Sequence, residues 1–261
     1  MMKRLKWIIP VLLIGLGFLG FLMAPHDPEA MDIANKYAAF SPEYPLGTDQ
    51  FGRCEISRLL YGGRVTLGIV LMGALIVLIL GTVIGLVLGY MGTERSLAFS
   101  SLLDAVTAIP PLAYLIIFVG VWGNSIPTML VALTISMILR TIKLVKTQTE
   151  IELKKAYVLC AVSSGASRMR ILFVHILPNI IRSLVHFLCL SCAEMIMNIS
   201  AFSFIGLTLG DGVIDWGSML SEGRKMLTTH PSLLFLPIFC IFICTLSFNL
   251  LAKQMEGGEN E

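Results

Sequence analysis

The run from Val65 to Met91 contains no charged residue. A bilayer core is about 30 Å thick and needs about 20 apolar residues in a helix. Hydrocarbon offers no partner for backbone N–H and C=O groups, so a spanning segment must satisfy them internally, as a helix does. The rest of the chain agrees. It is 56% hydrophobic and 14% charged, where soluble domains average about 45–50% and about 25%.

Five further apolar runs follow the same logic, at about Trp7–Ala24, Ala105–Trp122, Ile126–Leu139, Ser183–Leu207 and Ser232–Ala252. The expected fold is an all-α membrane protein with six transmembrane helices. The first run follows a basic start, as a signal peptide would. It reaches spanning length and meets no small-residue cleavage site before Pro25, which favours an uncleaved anchor. Gly81, Gly85 and Gly89 recur every fourth residue, a flat strip on which another helix can pack. Pro110-Pro111 is expected to kink or loosen the start of the third span. Pro127 suits the first turn of the fourth.

An even number of spans puts both termini on one side, and basic residues mark the cytoplasmic side. With the N-terminus inside, thirteen bases lie in the cytoplasm: Lys3, Arg4, Lys6, Arg95, Arg140, Lys143, Lys146, Lys154, Lys155, Arg168, Arg170, Arg182 and Lys253. Six lie outside: Lys36, Arg53, Arg58, Arg64, Arg224 and Lys225. The termini are therefore expected in the cytoplasm, with a long basic loop at about 140–182.

That loop is helix-like. Glu150–Ala161 is rich in helix formers, Gly165 is placed to end a helix in the left-handed conformation, and Arg168–Val174 can start another. Pro178 is expected to interrupt that second helix near the membrane surface. Tyr157, Val158, Leu159, Ala161 and Val162 give the first helix an apolar face. A groove on another protein, the lipid interface or the chain's own bundle would each cover it.

Other chemistry is sparse. Cys189–Cys192 and Cys240–Cys244 fall in apolar runs, where cysteine acts as a small hydrophobe. The four histidines make no metal-ligand spacing. Gly47–Gly52 is followed by Arg53-Cys54 rather than Lys-Ser/Thr, so there is no P-loop. No catalytic or metal site is expected, no cofactor in this chain, and no nucleic-acid partner. Glu194 is the one ionisable group well inside an expected span, and such a residue is a functional candidate by default. Asn198 shares its helix face, so the pair is expected to line a substrate path or to brace a neighbouring helix. Coupled ion transport, as in a secondary carrier, would need more than this one carboxylate.

Several segments carry a resemblance. Gly165-Ala-Ser167 with His175-Ile-Leu-Pro-Asn179 resembles the EAA loop of permease subunits of bacterial ABC importers. Tyr44-Pro-Leu-Gly-Thr-Asp-Gln-Phe-Gly-Arg53, with Ser57–Gly62, resembles the segment after the first span in the dipeptide/oligopeptide/nickel branch. Ser203-Phe-Ile-Gly-Leu207, Trp216–Arg224 and Phe248-Asn-Leu-Leu251 also fit that branch. The pattern's Glu, six residues before the Gly, is Leu159 here, followed by Cys160 and then Ala161.

The resemblance implies a cytoplasmic coupling helix between spans four and five. Tyr157, Leu159, Ala161, Gly165, Ala166 and Ser167 would meet ABC ATPase subunits that carry ATP and magnesium. It implies a second permease subunit, an extracytoplasmic solute-binding protein, and a place in the bacterial inner membrane. Asp211, Trp216, Glu222 and Arg224 would form the docking surface for the binding protein. The cargo would be nickel or a metal chelate, or short peptides, with the Met-rich fifth span and the short chain closer to the nickel branch. Residues 1–64 would be an anchor span plus an extracytoplasmic segment, and 65–261 the permease core.

Overall fold

A computed structural model describes residues 2–91, 101, 103–210 and 212–256. Arg95, counted among the inward bases, and Asp211, expected at a docking surface, lie outside them. All regular structure among the described residues is helical apart from one isolated bridge, Thr48 to Cys54. The helices are α1 (Met2–Leu19), α2 (Glu55–Tyr90), α3 (Pro111–Trp122) and α4 (Ile126–Glu152). They continue as α5 (Ala156–Ser163), α6 (Arg168–Phe204), α7 (Trp216–Arg224) and α8 (Ser232–Glu256). Four of them, α2, α4, α6 and α8, are long and apolar enough to cross a membrane. Two shorter apolar helices, Trp7–Met23 and Pro111–Trp122, accompany them.

The boundaries differ from expectation where polar residues are buried. The fourth helix does not stop at Leu139. It runs to Glu152, with Thr141, Lys146, Thr149 and Glu152 buried along its inner face. Threonines stay helical there by returning their hydroxyls to the backbone one turn earlier: Thr141 donates to the Met137 carbonyl (2.9 Å) and Thr149 to the Val145 carbonyl (2.7 Å). The expected loop at 140–182 therefore shrinks to residues 153–167. Its far side is also helix, because α6 starts at Arg168 and passes Pro178 without a break. A π-helical turn, Ile171–Ile176, precedes that proline. Such turns re-satisfy the groups that a missing N–H leaves free.

At Pro110-Pro111 the disruption goes further than a kink. A short helical stretch at 103–107 ends, Pro110 is extended at φ −60° and ψ 143°, and α3 begins at Pro111. The second helix begins earlier than its apolar run, at Glu55, and passes through position 64 without a break.

The glycine strip fixes the packing. A Cβ built on Gly81 would lie 2.8 Å from Thr141 Cγ2. On Gly85 it would lie 2.6 Å from Val145 Cβ, and on Gly89 2.6 Å from Thr149 Cβ. Two helices thus interlock along matching four-residue rows, with no room for a side chain on the α2 side. About two turns earlier along α2, Gly73 receives the methyl of Met195 from α6, which would sit 2.6 Å from an added Cβ. The core gathers around these contacts: Leu67 and Leu86 of α2, Leu133 and Met137 of α4, and Ile196 and Phe202 of α6 are fully buried.

Gly85→Leu should destabilise the bundle by about 1–3 kcal/mol or more, the usual cost of overpacking. Val83→Leu, on the exposed face of the same helix, should be neutral. Thermal unfolding of the detergent-solubilised protein checks both.

Candidate functional site: three polar clusters along the bundle

The first cluster closes the end of the bundle where the segment before α2 meets α7. Asp49 organises it. Its Oδ1 accepts from the backbone N–H groups of Phe51 (2.8 Å) and Arg53 (2.9 Å), which folds the Gly-Thr-Asp-Gln-Phe-Gly-Arg motif into a tight turn. Its Oδ2 accepts from Arg53 Nε and Arg58 Nη1, each at 2.6 Å. Both arginines also reach Glu222 Oε2 of α7, at 2.9 and 2.8 Å. Arg58 is 3% exposed, so its charge depends on those carboxylates. Glu222, 35% exposed, thus ties α7 to both arginines while keeping one edge open.

Trp216 was expected on a docking surface, and the structure corrects this. The ring is 2% exposed, and its indole N–H donates to the Leu59 carbonyl at 2.9 Å. Gly63 leaves it room, since a Cβ there would lie 2.9 Å from the ring. Asp215 precedes it as the helix cap and forms a capping box with Ser218. Burial pushes the Asp215 carboxyl above its ordinary range, against the backbone N–H groups of Gly217 and Ser218 that donate to Oδ2 and pull it down. Arg224 is exposed, its guanidinium 4.9 Å from the centre of the Phe204 ring.

The second cluster lies midway along the spans. Arg140 Nη1 donates to both carboxylate oxygens of Glu194, at 3.0 and 3.1 Å. Glu194 was expected to stand alone. It has a partner because α4 continues past Leu139 and carries Arg140 to the level of α6. Both side chains stay partly open, Arg140 28% and Glu194 41% exposed. Asn198 lies one turn further along α6, and its Nδ2 is buried without a protein partner. A paired, half-open charge at this depth can meet a polar solute while sparing the bundle an isolated buried ion.

The third cluster is the turn between α4 and α6. Here Tyr157, Leu159, Ala161, Gly165, Ala166 and Ser167 come together as one helix and its cap. Gly165 adopts φ +79°. Its N–H donates to the Val162 carbonyl, and the Ala166 N–H donates to the Ala161 carbonyl, both at 3.0 Å. This is the paired closure of a Schellman motif. Ser167 then caps α6 by accepting from the Arg170 N–H at 3.4 Å.

Val158 faces the bundle and is fully buried, whereas Leu159 and Val162 are 54% and 49% exposed. The Tyr157 hydroxyl donates to Glu152 Oε2 at 2.6 Å and accepts from Asn179 Nδ2 at 3.1 Å. Burial, together with that bond to Glu152, pushes the phenol up to about 12, so it stays a donor at any physiological pH. Cys160 is exposed on this helix, unlike the cysteines of the apolar runs.

Asp49, Arg58, Arg140, Glu152 and Asn179 were not among the expected site residues. Asp49 and Arg53 stand four apart within a quoted motif, and Asn179 closes another, which were the available signals. Nothing local marks Arg140, whose partner is distant in sequence. Among the described residues no group of three or more His, Cys, Asp or Glu is arranged to hold a metal ion.

Comparison with known proteins adds the following. A family model described as "Binding-protein-dependent transport system inner membrane component" matches residues 81–257. The nickel transport system permease protein NikC of Escherichia coli K12 is 30% identical over 253 residues, covering 97% of this chain and 91% of that protein. The glutathione transport system permease protein GsiD of Pectobacterium atrosepticum is 31% identical over 249 residues, 95% of this chain and 83% of that protein. The peptide transport system permease protein SapC of Escherichia coli O6:H1 is 33% identical over 243 residues, 92% and 78% respectively.

Breaking a buried ion pair by removing one partner costs about 3–5 kcal/mol. Arg58→Met should cost that much, because Asp49 is then left buried with one cation fewer. Glu222→Gln should cost less, since Glu222 is 35% exposed. Thermal unfolding of the two variants side by side tests the order.

Proposed function

The chain belongs to the family of binding-protein-dependent transport system inner membrane components, and on that premise we propose that it is the permease subunit of an ATP-driven importer. The likeness to permease subunits over nearly its whole length carries this reading. In this reading the chain crosses the membrane six times, the two shorter apolar helices joining the four long ones. The excess of basic residues toward α5 supports cytoplasmic termini. Residues 1–64 then anchor and close the outer end, and 65–261 form the transport core.

ATP and magnesium belong on a separate ATPase that docks against α5. A second permease chain supplies the other half of the path, and a solute-binding protein delivers cargo at the outer end. For that outer surface Arg224 and the exposed rim of Glu222 stand as candidates, and Trp216 does not. The cargo falls within the classes for which the relatives are named, nickel or short peptides including glutathione.

Transport follows from differential contacts in two states. ATP-driven closure of the ATPase displaces α5. The displacement passes into α4 and α6, the two helices that carry Arg140, Glu194 and Asn198. The polar strip is then exposed first to one side and then to the other. The ion-coupled alternative has less support, because Glu194, the carboxylate that reading would rest on, is already paired with Arg140.

A tagged chain co-expressed with the genes beside its own should retain an ATPase, and uptake should require ATP rather than an ion gradient. A chain that never retains an ATPase, with uptake that collapses only with the gradient, overturns the proposal. Gly165→Pro cannot adopt φ +79° and loses the N–H that closes the α5 turn. It should abolish most uptake while the protein still inserts. Glu194→Gln should slow uptake, and exchanging the pair (Arg140→Glu with Glu194→Arg) should restore the fold more than the transport. Uptake assays beside thermal unfolding separate the two effects.

A further inference from the structure

Tyr157 is where three elements meet, and nothing in its sequence position marks it for that role. Its hydroxyl donates to Glu152 at the end of α4 and accepts from Asn179 near the start of α6. Asn179 Nδ2 also donates to the His175 carbonyl at 2.6 Å, beside the π-helical turn. The other carboxylate oxygen of Glu152 accepts from Lys155 Nζ at 2.7 Å, and the Glu152 side chain is only 7% exposed. The carboxylate is therefore held from both sides, and the phenol is held by the carboxylate. Charge-assisted bonds of this kind are short and strongly directional.

We propose that Tyr157 is a positioning residue that locks α5 to the ends of α4 and α6, so that a push on α5 moves both helices as one body. The inference rests on the reading of α5 as the coupling helix. It goes further by naming the contact through which movement enters the bundle. Without that contact α5 hangs on two short connections, residues 153–155 and the Gly165 turn, plus the buried Val158 side chain. The Val158 contact adds packing but no hydrogen bond to either neighbouring helix. Leu159 and Val162 offer only carbon on the outer side.

The hydroxyl of Tyr157 thus supplies the directional attachment of α5 to both neighbours. The same two helices are joined again at Arg140–Glu194, about 18 Å along α4 from Glu152 at 1.5 Å per residue. Braced at two levels, α4 and α6 form a frame, and Tyr157 is the pin that attaches the handle.

The test needs no knowledge of the cargo. Met197 is 58% exposed and lies one turn from Glu194 on α6. In the full complex carrying Met197→Cys, the rate of labelling by a charged thiol reagent is compared with and without ATP and vanadate, against a Met197 control for the native cysteines. Linked sites commonly couple by about 5–150-fold, so an ATP-dependent change of at least about fivefold is expected in this parent. Adding Tyr157→Phe should reduce it below about twofold, with the ATPase retained per chain measured in the same preparation. Glu152→Gln keeps an acceptor for the phenol and should preserve the parent response, whereas Glu152→Ala should not.

An unchanged response in Tyr157→Phe overturns the proposal. So does loss of the ATPase from that variant, which would make Tyr157 a docking residue. A parent that holds an ATPase but shows no ATP-dependent change overturns the lever. A parent that holds no ATPase instead removes the importer reading itself.

Discussion

The close approach of α2 to α4 is the contact on which the other arrangements depend. Gly81, Gly85 and Gly89 leave a groove that Thr141, Val145 and Thr149 fill at van der Waals limits. In a bilayer, apolar surface gains little by leaving lipid for another helix, so fit and close packing must supply the attraction. That fit commits α4 as a helix well past its apolar stretch, with Lys146 and Glu152 carried along its buried side. Once α4 is long, two consequences follow. Arg140 arrives opposite Glu194, and Glu152 arrives beneath Tyr157.

The two ends of the bundle use polar chemistry differently. At the end capped by α7, Asp49, Arg53, Arg58 and Glu222 form a mostly buried lock that ties the segment before α2 to α7. Such a cluster is worth little as net stability, yet breaking it is costly, which suits an element that must hold its register. At the other end the Glu152–Tyr157–Asn179 set is smaller and partly open, and it joins a short helix to two long ones. Between them Arg140–Glu194 is the half-open pair. The three clusters thus lie in order along the bundle, the first between α2 and α7 and the other two between α4 and α6.

The legible part of the sequence was the part with a local cause. Gly165 at φ +79° follows from a helix that must stop, and a glycine is the residue that stops it without strain. The glycine row of α2 announced a packing face by spacing alone. Two departures came from charge and polarity. Charge does not end the fourth helix: Arg140, Lys143 and Lys146 lie within it rather than in a loop, and an ion pair across to α6 removes much of the cost for Arg140. Trp216 was read as a surface aromatic for a related reason. Its neighbours in sequence are polar, while its neighbours in space are Gly17, Gly63 and Leu59.

The sequence by itself determined that this chain is a helical membrane protein, that its basic end carries a helix closed at Gly165, and which branch of transport proteins it resembles. Composition, periodicity and short motifs suffice for that, because burying apolar length and capping a helix are local demands. Only the tertiary structure decided who partners whom. The pairs Arg140–Glu194, Arg58–Glu222 and Tyr157–Asn179 join residues far apart in sequence. A buried charge or hydroxyl specifies only that a partner must exist. Which residue serves depends on helix lengths and crossings that are set when the glycine face of α2 closes on α4.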